Sequence, residues 1–107
     1  MDVAIIDYKM GNLYSVKAAC ANVGLSSIIS SDHSEILDAE VAILPGVGAY
    51  GEAMHNLSAL KLDEIIFKFI DSGKQFIGIC LGFQLLFENS NEFGLNSGLG
   101  VLRGSVK

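Results

Sequence analysis

The stretch Phe76-Ile77-Gly78-Ile79-Cys80-Leu81-Gly82-Phe83-Gln84-Leu85-Leu86-Phe87 decides the fold. It opens on an apolar run of strand length, and the glycines flanking Cys80 let the chain turn sharply. An apolar segment from Phe83 to about Phe87 then reads as helix. Strand, tight turn and helix in that order predict one unit of a parallel α/β sheet, and the rest of the chain repeats the pattern.

Upstream, Val3-Ala4-Ile5-Ile6 is a first strand ending at Asp7, and Gly11-Asn12 marks the turn after it. Leu13, Val16, Cys20 and Val23 then recur at helical spacing, and Gly24 is suited to a left-handed cap. Ser26-Ser27-Ile28-Ile29-Ser30 reads as a weaker second strand, Ser34-Glu35-Ile36-Leu37 as a brief helical turn, and Val41-Ala42-Ile43-Leu44 as the third strand. Pro45-Gly46-Val47-Gly48 must break that strand into an irregular loop with open backbone amides. Residues 51–60 can be helical. Leu62, Ile65, Ile66, Phe69 and Ile70 form an amphipathic stripe with Asp63 and Glu64 in its first turn and Gly73 at its end. Residues 89–98 are polar and read as loop, with Val101-Leu102 a candidate fifth strand. The sum is α/β: a mostly parallel sheet with helices on both faces, residues 1–107 forming part of a single domain.

Half of the 107 residues are apolar and the formal net charge is −5. A chain of this size builds one core, and so apolar a composition is expected to leave surface that further polypeptide covers, with self-association as the consequence. The seven Lys and Arg form no cluster, which argues against nucleic acid as a partner. No apolar run approaches the ~20 residues that cross a bilayer, and no basic leader precedes the first strand. A soluble, cytoplasmic protein with no membrane contact is the expectation. Cys20 and Cys80 lack CxxC spacing, so reduced thiols are expected, with no zinc site and no cofactor. Asp63 and Glu64 read as helix charges rather than metal ligands.

Gly78-Ile79-Cys80-Leu81-Gly82 has the logic of a nucleophile elbow, in which a sharp strand-to-helix turn exposes the nucleophile to substrate. The helix N-terminus behind Cys80 favours its thiolate, and the backbone N–H of Leu81 is one donor for a developing oxyanion. A structural cysteine at a glycine-flanked strand end is the other reading of the pentapeptide. Context favours the first. Both glycine loops, 45–48 and 78–82, follow strands, where parallel sheets bind ligands, and side by side they would complete an oxyanion hole. Cys20, on the apolar helix face, reads as core. Gly46, Gly48 and Gly51 form a Gly-x-Gly-x-x-Gly on paper, but proline opens the loop and no acidic residue closes a following strand.

Three stretches carry a resemblance: Asp7-Tyr8-Lys9-Met10-Gly11-Asn12-Leu13, Leu44-Pro45-Gly46-Val47-Gly48-Ala49, and residues 78–88 around Cys80. In this order and spacing the chain resembles class I glutamine amidotransferases, specifically the glutaminase subunits of imidazole glycerol phosphate synthase. The resemblance implies a flavodoxin-like fold, with Cys80 attacking the side-chain amide of glutamine to form a thioester and release ammonia. It assigns Gly46, Val47 and Gly48 to the oxyanion strand, Gln84 to bound glutamine, and Asn12 to an interface with a (β/α)8-barrel synthase of histidine biosynthesis. Position 9 is usually glycine in that group and is Lys9 here. Tyr14 to Cys20 is similar to relatives that feed ammonia to sugar amidation in surface polysaccharide synthesis, which leaves the acceptor open.

A cysteine amidohydrolase needs a histidine base and acid held by a carboxylate, which the family takes from a His-x-Glu pair after the nucleophile. Nothing here matches it, and the chain covers about half of the family domain. His33 and His55 both precede Cys80 and read as solvated. The 107 residues alone are therefore expected to be inactive. Two further readings stay open: a non-catalytic α/β module that binds a partner, and a small cysteine hydrolase with the same elbow.

Overall fold

The computed structural model describes residues 2–9, 12–46, 50–79, 82, 85–86, 89–90, 96–97, 99 and 105–106. Four short strands, β1 (Val3–Ile6), β2 (Ser27–Ser30), β3 (Val41–Leu44) and β4 (Gln75–Gly78), form one sheet in the order β2-β1-β3-β4. Every pairing in it is parallel, with Ala4 opposite Ile28 and Ala42, and Ile43 opposite Ile77. Parallel strands are covered on both faces, which is why β1 is continuously apolar and wholly buried.

Between the strands run α1 (Leu13–Asn22), α2 (His33–Asp38), α3 (Tyr50–Ala59) and α4 (Leu62–Asp71). Crossovers between parallel strands are right-handed. The step from β1 to β2 goes one way along the sheet, and the steps from β2 to β3 and from β3 to β4 go the other way. Helix α1 therefore lies on one face and α2 to α4 on the opposite face.

Side chains alternate accordingly. Ala4, Ile6, Ala42 and Leu44 pack with Ile36, Leu57, Leu62, Ile66 and Phe69 of the three-helix face. Val3, Ile5 and Ile43 pack with Cys20, supported by Leu13 and Val16. The α1 face is covered less completely. A groove of about 390 Å³, lined by Val3, Leu25, Val41, Ile43 and Ile77 among others, opens there over β3 and β4, and Ile77 is 38% exposed.

Several expectations need correction. Val23 does not share the buried face of α1; it caps the helix and is 72% exposed, because the helix has ended before its side chain could turn inward. Residues 89–98, read as loop, contain β5 (Asn89–Ser90) and β6 (Asn96–Ser97), paired antiparallel, and β7 (Ser105–Val106) adds to β5 in parallel. Each piece is two residues long, and β5 and β6 are polar, too short for any alternation to show. Strand β4 starts at Gln75 rather than Phe76 and ends at Gly78. Val101-Leu102 lies outside the described residues, as does most of the helix expected from Phe83. Among the described residues no helix is long and apolar enough to cross a membrane.

Candidate active site

The carboxyl ends of β1, β3 and β4 meet at one edge of the sheet. Strand order reverses between β1 and β3, so this edge holds the topological switch point at which α/β sheets bind ligands. Three contacts tie the edge together. The Tyr8 hydroxyl donates to the Pro45 carbonyl at 2.5 Å across the β1–β3 boundary. The Ile79 amide donates to the Leu44 carbonyl at 3.0 Å, and the Gly82 amide donates to the Ile79 carbonyl at 2.9 Å.

Gly82 is buried against the end of β3. A Cβ on it would stand 1.8 Å from the Leu44 carbonyl oxygen and 3.2 Å from the Pro45 carbonyl carbon. No side chain fits there. The close approach expected of a glycine-flanked elbow is thus present at its second glycine, and what it approaches is the root of the Pro45 loop. Gly82 and Pro45 therefore adjoin.

Of the residues singled out from sequence, Gly46 is described and buried beside Pro45, and Asn12 is exposed at the start of α1 without a side-chain capping bond. Cys80, Leu81, Gln84, Val47 and Gly48 lie outside the described residues. No described contact brings either histidine to this edge. The His33 ring, expected to be solvated, is half-buried with Nε2 3.1 Å from the Leu60 carbonyl oxygen, and His55 is exposed on α3. Among the described residues no group of three or more His, Cys, Asp or Glu is placed to hold a metal ion.

Sequence reasoning missed Tyr8. Its side chain is wholly buried, and desolvation raises its pKa well above the ordinary tyrosine value. Burial raises that of Tyr50 as well. The only local hint was an aromatic residue next to Asp7; the partner of its hydroxyl is thirty-seven residues away in sequence. Lys9 follows with φ 71°, in the left-handed region that favours glycine.

Known proteins were compared with the chain. The family model described as "Glutamine amidotransferase class-I" matches residues 4–97. The imidazole glycerol phosphate synthase subunit HisH of Bacillus subtilis (strain 168) is 50% identical over 104 residues, 97% of this chain and 49% of that protein. HisH of Aquifex aeolicus (strain VF5) is 50% identical over 107 residues, 99% of this chain and 52% of that protein. The chain spans about half the length of the curated relatives it matches. A solved structure described as "Crystal structure of glutamine amidotransferase" superposes with a TM-score of 0.81 over 98% of this chain and 55% of its own, at 18% identity, a likeness of fold.

Proposed function

The chain belongs to the class-I glutamine amidotransferase family, and from that premise we propose that it carries the nucleophile and oxyanion half of a glutaminase site. The observation that carries the reading is the seat of Gly82 on Leu44 and Pro45, which brings the elbow turn against the start of the oxyanion loop. In this reading Cys80 attacks the side-chain carbonyl of glutamine, and the negative charge collects on the carbonyl oxygen. The Leu81 amide and the amides of the Gly46-to-Gly48 segment stabilise it. Collapse of the intermediate expels ammonia and leaves a glutamyl thioester, which water hydrolyses to glutamate and free thiol.

The proton needed by the departing ammonia comes from a histidine outside these 107 residues. His33 is tied to the Leu60 carbonyl and His55 is exposed on a helix, so neither is assigned the task. The half-site alone is inactive in this account and works with polypeptide that supplies the His-x-Glu pair. Relatives named as subunits of imidazole glycerol phosphate synthase support a (β/α)8-barrel synthase as the ammonia acceptor. The complex is then a cytoplasmic heterodimer of histidine biosynthesis, in which release of ammonia feeds a lyase-type ring closure.

Mass spectrometry after exposure to a diazo-ketone glutamine analogue, with and without a barrel synthase subunit, tests this. An adduct on Cys80 and none on buried Cys20 is the expected result. Equal labelling of the two thiols, or no adduct under either condition, would remove the glutaminase reading.

A further inference from the structure

The Pro45–Gly46 peptide is the first link of the loop that follows β3, and it is held from two sides. On one side the buried Tyr8 hydroxyl donates to the Pro45 carbonyl oxygen at 2.5 Å. On the other, Gly82 of the elbow stands so near that a Cβ would lie 3.2 Å from the Pro45 carbonyl carbon. Tyr8 itself is aimed by its neighbours. The Asp7 carboxylate accepts the Lys9 amide at 3.1 Å, and Lys9 takes its left-handed φ of 71°, so the chain turns back on leaving β1 and the ring between them points into the core.

From this we infer that Tyr8 is a positioning residue of the glutaminase site, whose hydroxyl fixes the orientation of the Pro45–Gly46 peptide and so aims the first amide donor of the oxyanion loop. The inference rests on the reading proposed above. Proline has no N–H, so the first donor this loop can offer is that of Gly46. In a trans peptide the carbonyl and the following N–H point in opposite directions. With its carbonyl held on Tyr8 at the floor of the switch point, the peptide turns the Gly46 N–H the other way. Without the hydroxyl, a buried carbonyl loses its partner and the peptide rotates to find another.

Tyr8→Phe keeps the ring and removes only the donor, and the 107-residue chain is compared with and without it. The first readout is the nuclear magnetic resonance signals of the Pro45 carbonyl carbon and the Gly46 amide, expected to shift as the carbonyl loses its hydrogen bond. The second is the alkylation rate of Cys80 by the diazo-ketone glutamine analogue against that by iodoacetamide, which needs no oxyanion donor. The analogue rate is expected to fall about tenfold, short of the ~10²–10³ that loss of a whole donor costs, while the iodoacetamide rate stays within about twofold. Cys20 must remain unreactive, which shows the fold to be intact. A parallel fall for both reagents, or an unchanged ratio, overturns the positioning role; unchanged Pro45 and Gly46 signals overturn the contact behind it. If the unsubstituted chain shows no preference for the analogue, the glutaminase reading fails and takes the role in the reaction with it. The two resonances then still report whether Tyr8 holds the peptide.

Discussion

At Gly82 a single added methyl has nowhere to go, since the Leu44 carbonyl oxygen would lie 1.8 Å from it and neither partner is the end of a flexible side chain. Gly82→Ala must push the elbow away from β3, and overpacking against backbone costs roughly 1–3 kcal/mol or more. Gly24 is the control. It has φ +82° but nothing within 4 Å of its missing Cβ, so Gly24→Ala carries conformational strain alone, about 1 kcal/mol. Urea unfolding of both variants is expected to show the larger loss at Gly82, and analogue labelling of Cys80 is expected to vanish only there. Tyr8 brings a pH dependence with a definite sign. Its folded pKa lies above the ordinary value of 10.0, so the neutral phenol stabilises the fold fully below pH 10, and that contribution is lost as pH rises beyond it. Stability is expected to fall above about pH 10, and less steeply in Tyr8→Phe, with the remaining slope including Tyr50, which is shifted in the same direction.

Among the elements, the short helix α2 shows how much of this fold is held by polar ends. Six residues are too few for intrinsic helix stability. Asp32 caps the start by accepting the Glu35 amide at 3.0 Å. The Ser30 hydroxyl accepts the Asp32 amide and donates to Glu35 Oε1, both at 2.9 Å, so the reciprocal capping pattern closes through a third residue. At the other end the Lys74 ammonium donates to the Leu37 carbonyl at 2.6 Å and the Ala39 carbonyl at 3.0 Å, and lies 5.3 Å from the Phe69 ring centroid. Asp32→Ala and Lys74→Met are each expected to cost about 1 kcal/mol in thermal or urea unfolding. An unaffected midpoint in Lys74→Met would show that the exposed ammonium adds nothing measurable, ring contact included. The sequence reading placed a helical turn at Ser34 to Leu37 without its cap, and the routing through Ser30 depends on where β2 ends. The stripe Leu62, Ile65, Ile66 and Phe69 was legible, with Ile70 at its half-buried margin, since one helical face meets one core.

For the molecule as a whole, the alternation of strands and helices was legible in the sequence, and the strand order was not. Apolar runs at 3–6, 41–44 and 76–79 alternate with helical patterns, which predicts a parallel sheet with helices on both faces; that α1 lies opposite the other helices follows from the handedness of crossovers once the strands are ordered. Of the candidate site, the close approach of Gly82 to Leu44 and Pro45 was legible, because glycine at 82 and proline at 45 have steric meaning wherever they occur. Tyr8 was not, because a hydroxyl's partner across a switch point is fixed only when the strands are ordered. The same topology leaves an apolar deficit on one side. Among the described residues three helices cover one face while α1 alone packs on the other, and the groove over β3 and β4 is open there, with Ile77 38% and Leu25 44% exposed. Apolar surface of this kind associates in water. The chain is expected to self-associate through that face, visible as a sedimentation coefficient that rises with concentration. Ile77→Glu, which places a charge at the middle of the groove without touching the three-helix core, is expected to weaken association at least about tenfold, equivalent to ~1.4 kcal/mol. A charge in the same sheet on the buried side would unfold the protein; at Ile77 it should leave the unfolding midpoint nearly unchanged, since the residue is an exposed edge position of β4. Association of equal strength in the variant would locate the contact elsewhere, and a monomer at every concentration would mean that the open face is too small to drive pairing by itself.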